Sequence, residues 1–236
     1  LTSKITLDGP LIKDKTTFAA GVRSTYSDWV FKLLPAEYQE SSASFDDATI
    51  HISHKVNNKN NIYLNGYYSS DKFSLDSDTT YSYHNKNANI KWKHNFNNRF
   101  YGVLTAGIDH YDYKDESNDN PVNAYQLTYA INQYKMNADF SYFFNNQHKI
   151  SFGISSLHYK INSGTFTPWG SKSLVTPDTI EAERALESAI YISDQYNISS
   201  NLSVEGGIRY SLYNYLGPKH VYTYVTGQPR EESTIT

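Results

Sequence analysis

The chain lacks several features by which common protein classes are recognised. It contains no cysteine among its 236 residues, which excludes a disulfide scaffold and thiolate chemistry. Its net charge is only −3, so its charge does not favour nucleic acid as a partner. The mean hydropathy is −0.62, and no apolar run approaches the roughly 18 residues that a membrane-spanning helix needs. These absences exclude a helical membrane protein.

The sequence also lacks the motifs that mark common active sites. It has no G-x-S-x-G elbow, no H-E-x-x-H, no P-loop and no dinucleotide-binding glycine pattern. His148 and Ser151 lie three residues apart on one predicted strand, so their side chains point to opposite faces and cannot form a catalytic pair. We therefore expect neither enzyme activity nor a cofactor.

What the chain does contain is alternation. Residues 134–144 divide into two interleaved sets, because side chains on a β-strand alternate faces with a period of two. Tyr134, Met136, Ala138, Phe140, Tyr142 and Phe144 form an apolar set, and Lys135, Asn137, Asp139, Ser141 and Phe143 form the other. The run matches the roughly 9–11 residues of a tilted strand that crosses a bilayer.

Turn signals divide the rest of the chain into hairpins. Short polar tips, mostly rich in asparagine, are predicted at residues 13–15, 57–61, 97–99, 145–147 and 199–201. Longer irregular segments separate them, at about 26–44, 74–81, 114–124, 163–182 and 216–236. Proline lacks the N–H that a sheet ladder needs, and the predicted strands contain none. The pattern predicts about ten strands, with short turns at one end and long loops at the other.

This layout is typical of an all-β, transmembrane antiparallel β-barrel with up-and-down strands, short periplasmic turns and long extracellular loops. A soluble β-sandwich or solenoid also alternates, but it usually has shorter strands and no consistent difference between its ends. About ten strands are too few for the roughly 22-stranded, plugged barrels of outer-membrane transporters. The chain also starts in a strand and stops inside a loop, so we expect residues 1–236 to be part of one larger barrel domain.

The first predicted hairpin resembles a known family. Residues 9–18 read GPLIKDKTTF and residues 23–28 read RSTYSD. Together they resemble an early barrel hairpin of TonB-dependent outer-membrane receptors of the Bacteroidetes type, in which a Gly-Pro pair, a Lys-Asp-Lys tip and an Arg-x-(Thr/Ser)-Tyr-x-Asp segment recur. The close match covers about 20 residues, and the remaining hairpins are compatible with it.

The resemblance implies an importer of a nutrient ligand in the bacterial outer membrane. It implies a plug domain and further strands outside this chain, a TonB complex that acts through a region outside this chain, and contact with outer-membrane lipid. A surface lipoprotein that closes the barrel as a lid is a further partner in part of the family. Two other hypotheses remain: a non-transporting surface protein, such as an adhesin or a structural subunit of a surface or secretion complex, and a soluble β-rich carbohydrate-binding module.

Two sets of residues are candidates for contact with a ligand. The first consists of charged side chains that the alternation directs into a wet lumen, where they line a substrate path or form interior ion pairs. This set is Lys91, Lys93, Lys135, Asp139, Glu205 and Arg209. The second is Trp169, which lies between Pro168 and Gly170 in a long predicted loop and suits ligand stacking.

No metal site is expected. His51 and His54 are three residues apart on a strand and face opposite sides, so they cannot bind one ion in regular geometry. The acidic residues between Asp112 and Asn120 supply oxygen ligands that suit calcium, but they lack the glycine and the terminal glutamate of an EF-hand loop. We interpret this stretch as a solvated acidic loop.

Overall fold

A computed structural model describes residues 1–75, 79–217 and 222–235. The chain forms one antiparallel sheet of 11 strands. Ten of them follow one another in the order β1 to β8, β10 and β11, and the short β9 pairs with β8 at the side. The expected all-β, up-and-down arrangement is therefore confirmed.

The strands are long and joined by short connections at one end. Their bounds are β1 Thr2–Ile12, β2 Thr16–Tyr26, β3 Ser42–Lys55, β4 Asn60–Leu75, β5 Thr79–Asn97, β6 Phe100–Ser117, β7 Tyr125–Phe143, β8 His148–Pro168, β9 Asp178–Ile180, β10 Glu183–Ser199 and β11 Leu202–Tyr215. A one-turn helix, α1 (Asp28–Phe31), and two 3₁₀ turns, Ala36–Tyr38 and Glu232–Thr234, lie in the longer connections.

All five predicted tips are turns between paired strands. The asparagine side chains act as the sequence suggests, because their amide oxygens accept hydrogen bonds from backbone N–H groups two or three residues later. Asn57 Oδ1 accepts from Lys59 N at 2.9 Å and Asn60 N at 3.0 Å. At the first tip, Lys15 N donates to Ile12 O at 3.1 Å, and Asp14 has φ of 60°, in the left-handed region that Asp and Asn adopt more readily than most residues.

The strands reach further toward the long loops than the sequence predicts. β6 continues to Ser117 and β8 to Pro168, so most of the acidic stretch after Asp112 is strand. The predicted segment 74–81 is strand on both sides of residues 76–78, which lie outside the described residues, as do 218–221 and 236.

The expectation that strands lack proline was wrong: Pro10 lies in β1 and Pro168 ends β8. Proline is tolerated there because Pro10 lies at the irregularity of β1 between Pro10 and Ile12, and Pro168 is the last residue of β8.

The register extends the alternation across the whole sheet. Met136 lies opposite Ala106 on β6 and Ser156 on β8, whereas Lys135 lies opposite Gly107 and Leu157. We call the face that carries Met136 the outer face and the face that carries Lys135 the inner face. The predicted division of residues 134–144 into two sets is confirmed.

The sheet has no conventional apolar core. Its only buried hydrophobic residues, within the described part of the chain, are the alanines Ala43, Ala124, Ala185 and Ala189. Large outer-face side chains are instead open, with exposed fractions of 67% for Met136, 58% for Ile154 and 76% for Ile208. An apolar surface of this extent requires a nonpolar partner. Within the described residues, no helix has the length and apolar character needed to cross a membrane.

The exposed apolar side chains form a belt of limited height. On β6 and β7 it extends from the row of Phe100 and Tyr142 to the row of Ile108 and Tyr134. These nine residues correspond to about 30 Å of strand, or about 23 Å of height at a tilt of about 40°. This apolar belt therefore matches the roughly 25 Å lipid-facing band of outer-membrane barrels. The strands continue beyond this belt on the side of the long loops, to Ser117 on β6 and Tyr125 on β7.

Candidate functional site

The inner face brings the charged candidates together. Lys93, Asp139 and Arg209 lie in one register row that crosses the sheet from β5 to β11. Lys91 and Lys135 lie in the next rows toward the long loops, and Glu205 lies toward the short turns. All six predicted residues thus share the inner face, and whether they contact a ligand stays a prediction.

The structure gives several of these side chains intramolecular partners. Tyr191 donates its hydroxyl hydrogen to Asp139 Oδ1. The Arg209 guanidinium lies 5.3 Å from the Tyr191 ring centre and donates to Ser155 Oγ at 3.1 Å. Glu205 accepts from Ser193 Oγ at 3.1 Å. These contacts favour a role in holding the wall together.

A polar ladder crosses the middle of the inner face. Lys135 Nζ lies 3.0 Å from Asp109 Oδ2, and Asn87 donates to the other oxygen of that carboxylate. The ladder continues through Asn89 and Asn65, where Asn65 Nδ2 donates to Asn89 Oδ1 at 2.7 Å. The polar side chains here form hydrogen bonds and an ion pair with side chains of neighbouring strands. Such a polar inner face suits the hydrated interior of a barrel.

Four tyrosines cluster on the inner face beyond the apolar belt, on the side of the long loops. Their ring centres are 5.3 Å apart for Tyr83 and Tyr113, 4.7 Å for Tyr113 and Tyr129, and 5.8 Å for Tyr111 and Tyr129. The hydroxyl oxygens of Tyr111 and Tyr129 are 3.5 Å apart. This tyrosine cluster combines flat apolar faces with hydrogen-bonding edges, which suits a ligand that has both.

A half-buried carboxyl group, that of Asp115, extends the tyrosine cluster toward the loops. Tyr125 donates to Asp115 Oδ1 at 3.5 Å, and the Tyr125 ring lies 5.1 Å from that of Phe166. Burial raises the pKa of Asp115, while hydrogen bonds from Tyr125 and Tyr113 oppose the shift. Burial also raises the pKa of Tyr113 to about 12. Ionisation of both side chains is therefore less favourable here than in the unfolded chain.

Sequence reasoning missed the tyrosine cluster for a specific reason. The four tyrosines lie next to the predicted loops 74–81 and 114–124 rather than in them, and the clear alternation that predicts strands stops short of all four. A bulge between β7 and β8 also shifts the register between Thr128 and Ala130. Gly164, with φ of 154°, lies at this bulge, a backbone conformation that favours glycine. Tyrosines spaced by two at 81, 83, 111 and 113 were the available signal.

Trp169 lies on the other side of the sheet from the tyrosine cluster. It directly follows β8, and its backbone N donates to Ala124 O at 3.0 Å. The Lys114 ammonium lies 6.0 Å from its ring centre, and Lys114 belongs to the outer face. The indole is 39% exposed, so it remains accessible, and its contact with a ligand stays a prediction.

The acidic and histidine residues do not assemble into a metal site. His51 and His54 face opposite sides of β3, as expected: His51 contacts Asn65 on the inner face and His54 contacts Thr16 on the outer face. Asp112 is paired with His84 at 2.9 Å and with His110 at 3.1 Å. Among the described residues, no group of three or more possible ligands is arranged to hold a metal ion.

A sheet with a lipid-height apolar belt on one face and a bonded polar surface on the other defines the wall of an outer-membrane β-barrel. The family model described as TonB dependent receptor-like, beta-barrel, matches residues 15–231. The chain belongs to this family of outer-membrane proteins of Gram-negative bacteria. No curated protein matches the chain.

Solved structures share the fold at low sequence identity. The ferric preacinetobactin receptor BauA from Acinetobacter baumannii has a TM-score of 0.69 at 11% identity, over 91% of this chain and 39% of that one. The ferripyoverdine receptor of the Pseudomonas aeruginosa outer membrane has a TM-score of 0.68 at 11% identity, over 92% and 36%. The ferric citrate transporter FecA gives 0.68 at 13%, over 91% and 35%. The chain thus spans little more than a third of each of these three structures.

Proposed function

We propose that this chain is part of the barrel wall of an outer-membrane transporter that imports a nutrient ligand, and that residues 1–236 belong to one barrel domain completed by a plug and further strands outside them. The observation that carries the proposal is the tyrosine cluster. It lies on the inner face, beyond the apolar belt and on the side of the long loops, where a ligand arriving from outside would first meet the wall. Receptors for ferric siderophores and a ferric citrate transporter among the structural neighbours support import as the activity.

In this proposal the tyrosine cluster and the polar ladder of the inner face have different roles. The stacked rings of Tyr113 and Tyr129 offer a preformed surface on which a planar or sugar-like group can lie at little entropic cost. Below them, the polar ladder around Asp109 and Lys135 provides neutral and paired groups that a hydrated ligand can pass. Energy for release is supplied by the TonB complex, which acts through a region outside this chain.

Two finer assignments belong to the same proposal. Origin in the Bacteroidetes rests on the hairpin of residues 9–18 and 23–28. Partnership with a surface lipoprotein lid rests on the same resemblance, and co-purification of the full-length protein from its host membrane tests it directly. A lipoprotein present in stoichiometric amount supports the lid, and a receptor recovered without one argues against it.

Spent-medium analysis tests import while the ligand is still unidentified. Host strains with the gene intact, with the gene deleted and with TonB deleted are grown in one complex medium, and the loss of each dissolved compound is measured. We expect at least one compound whose uptake requires both genes. If uptake of every compound is unchanged by deletion of the gene, the proposal fails in favour of a non-transporting surface protein.

Variants of the full-length protein test whether the ligand contacts the tyrosine cluster. Replacement of Tyr113 and Tyr129 together by alanine removes the stacked pair. We expect uptake to fall at least tenfold at equal receptor abundance, since stacking of one nucleic-acid base on an aromatic side chain contributes about 1–3 kcal/mol. The matched control replaces Tyr134 and Tyr210, two tyrosines of the outer face, by alanine. Equal loss of uptake in both variants contradicts a role for the tyrosine cluster.

A further inference from the structure

The basic side chains of the outer face are distributed unevenly. On the paired strands of the described chain, the outer face carries five lysines and arginines: Lys72, Lys86, Lys114, Lys160 and Arg184. All five lie on the long-loop side of the apolar belt. The opposite rim, near the short turns, carries His54, His94 and the pair of His148 with Asp194 instead. Lysine and arginine on the outer face of the strands are thus confined to the long-loop side, whereas the short turns carry Lys13, Lys15, Lys59 and Arg99 at their tips.

Three of these cations occupy a single register row. Lys86 on β5 lies opposite His110, which lies opposite Asn132, then Lys160, then Arg184 on β10. This cationic row is the first row beyond the apolar belt, directly above Ile108 and Tyr134. At about 4.8 Å between strands it spans about 19 Å, the width of a lipid headgroup or more.

Lys160 and Arg184 face each other directly on neighbouring strands. Like charges in that position destabilise a sheet unless an anion lies between them. Within the described residues, Lys86, Lys160 and Arg184 form no ion pair with a carboxylate. The nearest outer-face carboxylate on β6, Asp112, is already held by His84 and His110. The row therefore has positive charge that the described part of the protein does not neutralise.

We propose that Lys86, Lys160 and Arg184 bind phosphate groups of glycolipid headgroups in the extracellular leaflet of the outer membrane. Arg184 supplies a planar fork that contacts two phosphate oxygens, and the lysines supply point charges beside it. His110, which lies opposite Lys86 in the row, contacts Asn132 Oδ1 at 2.7 Å and Asp112 Oδ2 at 3.1 Å.

The position of the row favours a lipid over a free anion. Immediately below it on the outer face lie Tyr134, its ring 5.9 Å from that of His158, and Leu186. A headgroup phosphate in the row places the attached acyl chains against these side chains and the apolar belt. Aromatic side chains at this level are typical of membrane boundaries. The inference rests on the proposed orientation, in which the long loops are extracellular.

Native mass spectrometry of the detergent-purified full-length protein provides the test. The probes are lipid A with its phosphates, the same lipid after phosphatase treatment, and inorganic phosphate. We expect the phosphorylated lipid to bind and the dephosphorylated lipid to bind at least tenfold more weakly. The combined substitution of Lys86, Lys160 and Arg184 by glutamine is expected to weaken binding of the phosphorylated lipid by at least tenfold.

Two further variants separate charge, position and folding. Replacement of Lys4, Lys55 and Lys149 by glutamine removes the same charge from the inner face and should leave lipid binding unchanged. The set Lys86→Arg, Lys160→Arg and Arg184→Lys keeps the charge and should retain binding. Equal binding by the outer-face glutamine variant, equal loss in the inner-face control, or displacement of the lipid by millimolar inorganic phosphate would overturn the proposal. Because lipid binding is measured without transport, failure here with ligand uptake preserved leaves the proposed function standing.

Discussion

Tyr191 lies across Gly153 and donates a hydrogen bond to Asp139, two strands away. The three residues occupy one register row on β10, β8 and β7. A Cβ atom built on Gly153 would lie 2.6 Å from the Tyr191 hydroxyl oxygen and 2.6 Å from the Ala138 carbonyl oxygen. The glycine thus makes room for a tyrosine that ties three strands together, and the ring in turn covers a residue that has no side chain to pack.

Gly153→Ala is expected to destabilise the barrel by about 1–3 kcal/mol, the typical cost of forcing extra volume into a packed site. The added methyl group displaces the Tyr191 hydroxyl and breaks its hydrogen bond with Asp139. Urea unfolding of the full-length protein in lipid vesicles, followed by tryptophan fluorescence, measures the change. Gly206→Ala is the matched control, because a Cβ atom there meets nothing within 4 Å. A Gly153 variant as stable as the Gly206 variant contradicts this account.

A second prediction concerns the asparagine tips. The Asn57 side chain satisfies two backbone N–H groups of its turn, so Asn57→Ala should cost about 1 kcal/mol of unfolding free energy. The same unfolding measurement applies. Asn58→Ala, at the exposed neighbouring position, should change stability by less than about 0.5 kcal/mol. Equal effects of the two substitutions show that the side-chain hydrogen bonds contribute nothing measurable.

The hairpin layout was predictable because its signals are local. Asparagine at a turn acts on N–H groups two or three residues away, and alternation within a strand such as β7 requires no information about its neighbours. The predictions for Asn57, Asn145 and residues 134–144 depended on such signals, and the structure confirms them. The six charged inner-face candidates were placed on one face by the same period of two.

The register between strands could not be predicted from patterns within each strand. The tyrosine cluster joins residues up to 46 positions apart, from Tyr83 to Tyr129, through the pairing of β5, β6 and β7. The cationic row likewise depends on Lys86, Lys160 and Arg184 reaching the same height on different strands. Trp169 illustrates the same limit, because its side of the sheet follows from the bulge near Gly164 rather than from its own neighbours.

The raised pKa of Tyr113 predicts a late-titrating phenol. This tyrosine lies beyond the apolar belt, and burial is the main cause of its pKa of about 12. In the unfolded chain a phenol ionises near pH 10, so the stability that this group contributes is fully present below about pH 10 and is lost by about pH 12. Absorbance at about 295 nm, where phenolate absorbs, should show that Tyr113→Phe removes ionisation near pH 12. Loss of absorbance change near pH 10 instead would contradict the burial effect.

The raised pKa of Asp115 predicts a stability effect of the same sign at lower pH. Burial raises its pKa above 3.8, so ionisation of this carboxyl group costs more free energy in the folded chain than in the unfolded one. Its contribution to stability is therefore fully present below the unfolded pKa of about 3.9 and is lost as the pH rises through the folded pKa. Asp115→Asn removes the charge but keeps an oxygen that can accept from Tyr125. We expect the variant to melt higher than the wild-type full-length protein at pH 7 and to lose that advantage at pH 3, as measured by the temperature at which the folded band disappears on unheated gels. A variant less stable at pH 7 than at pH 3, relative to wild type, would show that the Tyr125 and Tyr113 hydrogen bonds to the carboxylate outweigh its burial.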